Sequence, residues 1–142
     1  MHLAYVRERV GHALIAARQW IPAEHLTDPD IAAEMGIPDA LAFRSKGQLA
    51  IDICTDAYAD GVTFDFACGD EVYGHCTQLR EFFEDRQQAY VLRVASNFML
   101  TLNPETRTTC AKAVALLATD KRRWQVRSAG AGSKGQRWYA WA

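Results

Sequence analysis

A chain of 142 residues has room for one domain with a real core, and 49% apolar against 23% charged residues is ordinary globular composition, which argues against wholesale disorder. No apolar run reaches the roughly 18 residues of a membrane span and no charged-then-apolar leader opens the chain, so a cytoplasmic protein without membrane contact is expected. The formal net charge of -1 conceals an asymmetry: residues 1–97 hold 8 Lys/Arg against 15 Asp/Glu, and residues 98–142 hold 8 against 2.

In chain order, Leu3–Val6 and His12–Ala17 are short apolar runs joined by Arg7-Glu8-Arg9 and Gly11, the pattern of an antiparallel hairpin. Asp28-Pro29 supplies an N-cap followed by proline at the first helical position, with Gly36 and Pro38 as stop signals, so a short surface helix is expected between them. Ser45 with Gln48 has the form of a capping box. Leu49, Ile53 and Ala57 then follow at helical spacing toward Gly61. Asp52, Asp56 and Asp60 on this helix read as a solvated acidic face.

Val62, Phe64, Phe66 and Cys68 alternate with Thr63, Asp65 and Ala67, the period of a strand with one face in a core. The strand runs into Gly69-Asp70-Glu71, which places Asp70 just past its carboxyl end, where α/β folds put ligand and metal chemistry. The competing use of Asp70 is to shape a turn or cap the next helix. Leu79, Phe82, Phe83 and Arg86 describe an amphipathic helix over residues 77–86, and the apolar run of residues 89–95 reads as a buried parallel strand. Strand, helix and strand make a βαβ unit, expected to be right-handed. With the hairpin it gives an α/β domain whose sheet mixes parallel and antiparallel strands.

Beyond Asn97, residues 111–118 have helical character and residues 123–127 that of a short strand. Lys121, Arg122, Arg123, Arg127, Lys134 and Arg137 are interleaved with Trp124, Trp138, Tyr139 and Trp141, a mixture suited to phosphate contact and stacking, or simply to a solvated basic face. Gly130, Gly132 and Gly135 satisfy the glycine spacing of a dinucleotide loop. Aromatic residues follow where a helix and an acid are required, so no nucleotide cofactor is expected. Cys54, Cys68, Cys76 and Cys110 show no regular spacing. Cys54 and Cys68 are placed on buried faces, and Cys68, His75 and Cys76 lack a fourth ligand for zinc.

Four stretches in order resemble the middle of a DDE transposase of a bacterial insertion sequence: Gly11-His12-Ala13-Leu14-Ile15 with Trp20-Ile21-Pro22; Gly36-Ile37-Pro38 with Ser45-Lys46; Gly69-Asp70-Glu71-Val72-Tyr73-Gly74; and Ser128-Ala129-Gly130 through Lys134-Gly135 to Tyr139-Ala140-Trp141-Ala142. The resemblance implies a ribonuclease-H-like α/β fold, a mixed sheet with flanking helices. In that family three carboxylates hold two divalent ions, magnesium by preference, for attack on DNA phosphodiesters. Asp70 matches the second Asp of the triad, and Glu71 receives no catalytic role. The first Asp belongs to a strand before the hairpin and the Glu to a helix after residue 142. The resemblance therefore implies an incomplete core over residues 1–97, without the first strand and the last catalytic helix. Residues 98–142 then form a basic aromatic segment of an insertion that follows the core strand.

The expected function is that of a transposase fragment in DNA transposition, inactive alone, with magnesium bound weakly or not at all at Asp70. Removal of two elements should leave a sheet edge and apolar surface exposed. DNA is the expected partner, with an intact transposase as a second. The alternative is a module that binds DNA or interferes with an intact transposase without catalysis. Lys121, Arg122, Arg123, Arg127, Lys134 and Arg137 are the expected nucleic-acid contacts.

Overall fold

The computed structural model describes residues 1–132 and 135–141. The chain divides into two compact units between Val94 and Ala95.

The first unit opens with β1, His2–Arg7, and β2, Gly11–Ala17, paired antiparallel with His2 opposite Ala17 and Arg7 opposite Gly11. A short helix that the sequence does not signal, α1 at Ala23–Thr27, precedes α2 at Pro29–Glu34. Asp28 separates them: its Oδ1 accepts from the N–H groups of Asp30 (3.0 Å) and Ile31 (3.2 Å), two of the donors that a helix start leaves unsatisfied. The longest helix, α3 at Lys46–Ala59, begins with a complete capping box. Ser45 Oγ accepts from the Gln48 N–H at 3.2 Å, and Gln48 Oε1 accepts from the Ser45 N–H at 2.9 Å. The Lys46 ammonium lies 4.6 Å above the Trp20 ring, which brings two of the motif stretches together.

The acidic face of α3 is not simply solvated as the spacing suggested. Asp52 pairs with Arg44, Asp56 pairs with Arg18, and Asp60 is the C-cap. Both cations come from outside the helix, so its four-residue spacing could not reveal them.

The βαβ unit forms as expected. β3 at Ala67–Gly69 runs parallel to β4 at Tyr90–Leu92, with Ala67 opposite Tyr90 and Gly69 opposite Leu92. Two helices join them, α4 at Glu71–Gly74 and α5 at Thr77–Asp85. Thr77 is the first helical residue of α5 and not its cap; Cys76 is the N-cap and makes no side-chain capping bond. Ala50, Ile53 and Cys54 of α3 meet Leu79, Phe82 and Phe83 of α5 in the core cluster.

Two strand expectations need correction. The strand foreseen from Val62 is confined to its last three residues, because Gln88 Nε2 donates to the carbonyls of Phe64 (3.3 Å) and Asp65 (3.1 Å) and the chain bends at Asp65. The bend resets the alternation. Val62 and Phe64 are half-buried, whereas Phe66 is 62% exposed and Cys68 is exposed instead of buried. β4 is likewise shorter than the run of residues 89–95, and Val91 in its middle is 61% exposed.

In the second unit, β5 at Met99–Asn103 and β6 at Thr106–Thr109 form an antiparallel hairpin absent from the sequence reading. α6 at Cys110–Ala118 follows, with Thr109 Oγ1 accepting from the Lys112 N–H at 3.4 Å. A single 3-10 turn at Lys121–Arg123 leads into β7 at Gln125–Gly132, which pairs antiparallel with β8 at Gly135–Trp141. Gly132 lies opposite Gly135 at the end of this hairpin, and the described residues that follow, Gly135–Trp141, form a strand where a dinucleotide loop would open a helix. No described residue of this unit is buried.

The single mixed sheet expected from the resemblance is absent among the described residues. Instead there are separate two-stranded sheets, β1-β2, β3-β4, β5-β6 and β7-β8. Within the first unit, residues of β1 and β3 line one cavity, and the two strands are not bonded to each other. No helix among the described residues is long and apolar enough to cross a membrane.

Candidate functional site

Asp70 stands at the carboxyl end of β3, where the chain leaves the parallel pair and enters α4. Both glycines of the Gly69–Gly74 string are required by close approach. A Cβ on Gly69 would lie 2.9 Å from Leu92 Cδ2 and 3.2 Å from Tyr73 Cβ, and one on Gly74 would run into the carbonyl oxygen of Arg93. Their lack of a side chain lets α4 fold back over the ends of β3 and β4. The Arg93 N–H donates to the Gly69 carbonyl at 2.9 Å and continues the ladder past β4.

The Asp70 backbone is extended (φ -78°, ψ -173°), and its Oδ1 accepts from the Val72 N–H at 3.0 Å. Asp70 is therefore the N-cap of α4, the structural use weighed against catalysis in the sequence reading. Its side chain remains exposed at the strand end, as does that of Glu71 in the first turn of the helix. Tyr73, which the sequence reading does not single out, is half-buried against Gly69. Burial, and secondarily the negative charge of Asp70, raise the Tyr73 hydroxyl above its ordinary pKa. The signal for Tyr73 was its place three residues after Asp70 in the motif.

Divalent ions are implied by the resemblance, and the residues present do not fit a two-metal centre by themselves. No group of three or more His, Cys, Asp or Glu that could hold a metal comes together among the described residues. Glu8 lies in the turn between β1 and β2, 3.7 Å from Arg9, and Glu105 lies in the turn between β5 and β6 of the second unit. Cys68, His75 and Cys76 form no ligand group either.

The structure sorts the basic aromatic segment by face. Gln125 is opposite Trp141 and Arg127 opposite Tyr139, so these four side chains share one face of the β7-β8 ribbon. Alternation along β8 puts Arg137 on that face too. Tyr139 and Trp141 meet edge to face with ring centroids 6.4 Å apart, and Arg123, Gln125, Arg127 and Trp141 line one groove. Trp138 is on the other face, opposite Ser128. A bulge between Ser128 and Ala131, where Gly130 takes a φ of +82°, lets β7 keep pairing with β8 beyond the extra residue.

The remaining members of the segment are engaged differently. Trp124 donates its indole N–H to the Leu117 carbonyl at 2.9 Å, which ties it to α6. Arg122 and Arg123 both approach Asp120, at 3.3 and 3.4 Å, which offsets part of the charge of the Lys121–Arg123 run. Lys134 lies outside the described residues.

The sequence model of one protein family, described as DDE superfamily endonuclease, matches residues 1–141. No curated protein and no solved structure gives a significant match.

Proposed function

This chain belongs to the DDE superfamily endonucleases, which act on DNA and generally use divalent metal, and on that premise we propose that it is a transposase-type domain of an insertion sequence contributing one metal-facing carboxylate, Asp70. The observation that carries the reading is the position of Asp70 at the carboxyl end of a parallel strand, the end at which α/β sheets hold their ligands, within a chain matched by the family over nearly its whole length. A single carboxylate leaves most of a magnesium shell to water. The chain by itself then holds the cation weakly and cleaves no DNA.

The test combines a positive and a negative readout. Manganese titrated into the isotope-labelled chain should broaden the amide signals of residues 69–72, and Asp70→Asn should remove that broadening. Broadening centred elsewhere would refute Asp70 as the metal-facing residue. In parallel, the chain should fail to nick supercoiled plasmid in magnesium or manganese. Nicking that disappears in Asp70→Asn would show instead that the chain is catalytically complete.

A second reading, a DNA-binding module without catalysis that can interfere with an intact transposase, is favoured by the gathering of Arg127, Arg137, Tyr139 and Trp141 on one ribbon face. Lys121, Arg122, Arg123 and Lys134 add positive charge to the same segment. Binding to short duplex or single-stranded DNA should weaken steeply with salt, and Arg127→Gln and Arg137→Gln should each lower the salt slope by about 1. Trp138→Ala on the opposite face should leave affinity within about twofold, whereas Trp141→Ala should reduce it by roughly 1–3 kcal/mol through lost stacking. Equal effects of Trp138→Ala and Trp141→Ala would refute the face assignment.

A further inference from the structure

The chain that leaves Asp70 is a single helical turn, α4, of four residues. A helix this short has no cooperativity of its own, so it persists through what holds its two ends. Asp70 holds the first: its carbonyl accepts from the Tyr73 and Gly74 N–H groups, both at 3.1 Å, and its Oδ1 accepts from the Val72 N–H at 3.0 Å. The second end is held from α5. The Gly74 carbonyl, one of those that a helix end leaves without a partner inside the helix, accepts from the guanidinium of Arg80. The other terminal nitrogen of the same guanidinium donates to Thr77 Oγ1 at 3.1 Å. Cys76, the N-cap of α5, supplies no side-chain capping bond at this joint. Gly74 itself is buried and lies against the Arg93 carbonyl at the end of β4, so the turn is caught between the strand ends and Arg80.

We infer that Arg80 is a positioning residue for Asp70: by clamping the Gly74 carbonyl it keeps α4 wound and so fixes the direction of the Asp70 carboxylate at the end of β3. The inference rests on the reading of Asp70 as the metal-facing carboxylate and deepens it. The connection is two hydrogen bonds long, from the Arg80 guanidinium to the Gly74 carbonyl and from the Gly74 N–H to the Asp70 carbonyl. A bond donated by a charged group is roughly twice as strong as one between neutral groups, which suits it to holding a turn that cannot hold itself. Arginine serves because its planar fork reaches the carbonyl and the Thr77 hydroxyl together. The residues that pack α5 into the core are Leu79, Phe82 and Phe83, and Arg80 is not among them. Its substitution therefore tests the turn without emptying the core.

The full chain is compared with Arg80→Met, which keeps the stem and removes the donors, and with Arg80→Lys, which keeps a donor for the Gly74 carbonyl. Hydrogen exchange read amide by amide needs no metal. In Arg80→Met the Val72 amide, bonded to the Asp70 side chain, and the Gly74 amide, bonded to the Asp70 carbonyl, should exchange about tenfold faster, with Phe82 and Phe83 unchanged as the control for the fold. The manganese concentration that half-broadens residues 69–72 should rise about tenfold in the same variant. Arg80→Lys should recover at least half of both losses. Unchanged exchange at Val72 and Gly74 in Arg80→Met overturns the inference, as do equal losses in Arg80→Met and Arg80→Lys. Faster exchange with an undiminished manganese response overturns it too, and so does acceleration that extends equally to Phe82 and Phe83. If manganese does not broaden residues 69–72 in the unaltered chain, the metal reading falls, while faster exchange at Val72 and Gly74 in Arg80→Met still upholds the clamp on Asp70.

Discussion

At the scale of single residues, Asp70 has two separable roles. As the N-cap of α4 it holds the Val72 N–H through Oδ1, and that function needs a side-chain oxygen but no charge. Asp70→Ala should therefore cost about 1 kcal/mol in a urea titration, while Asp70→Asn, an equally good cap, should stay within a few tenths. A manganese response lost in both variants would belong to the carboxylate and not to the fold. Cys54 is a second residue with a legible consequence. Burial against α5 penalises its thiolate and pushes the pKa up from 9.0 to about 11. The unfolded chain therefore loses this proton before the folded chain does. The stabilisation from keeping the thiol neutral is complete below pH 9 and is lost as the pH rises toward 11, by about 1 kcal/mol per pH unit. Denaturant midpoints measured between pH 8 and 11 should show that decline, and Cys54→Ala should make it shallower, most clearly between pH 9 and 10, below the range in which the raised tyrosines add to it.

At the scale of elements, the strand–helix crossing at Gly69–Gly74 is set by space. Gly74→Ala drives a methyl group into the Arg93 carbonyl, a backbone atom that cannot swing aside, so a loss of roughly 1–3 kcal/mol is expected, read as a lower urea midpoint. The helix that organises the first unit depends on its start as much as on its core face. Ser45→Ala removes the acceptor for the Gln48 N–H and should cost about 1 kcal/mol. Phe83→Ala empties the contact between α3 and α5 and should cost roughly 3–5 kcal/mol. Losses of similar size for Ser45→Ala and Phe83→Ala would mean that capping, and not packing, dominates here.

At the scale of the whole molecule, the two units differ in how they are held. The first has a core of buried residues from α3 and α5, whereas no described residue of the second is buried, and its strands occur as two-stranded hairpins. Two-stranded ribbons without a buried face are marginal in water. Native-state hydrogen exchange should accordingly find the slowest amides in α3 and α5 and much faster exchange throughout β5 to β8. Uniform protection across both units would contradict this. The charge division follows the same lines, with the acidic excess in residues 1–97 and the basic excess in residues 98–142, the half in which DNA contact is proposed.

Much of the fold was written locally in the sequence. The Asp28 and Ser45 caps, the periodicity of Leu79, Phe82 and Phe83, the β1-β2 hairpin and the βαβ unit with Asp70 after its first strand all rest on local signals, and the family model matches nearly the whole chain. What the tertiary structure decided depends on partners distant in the chain. Gln88 reaches back 24 residues to the Phe64 carbonyl and ends the strand that alternation alone extended to Val62. Arg18 reaches 38 residues to Asp56 and turns an acidic face into an ion-paired one. The same holds for the ribbon: a bulge between Ser128 and Ala131 and the register across β7 and β8 put Arg127, Arg137, Tyr139 and Trp141 on one face and Trp138 on the other. Composition named those residues, but only strand pairing could give them a common side.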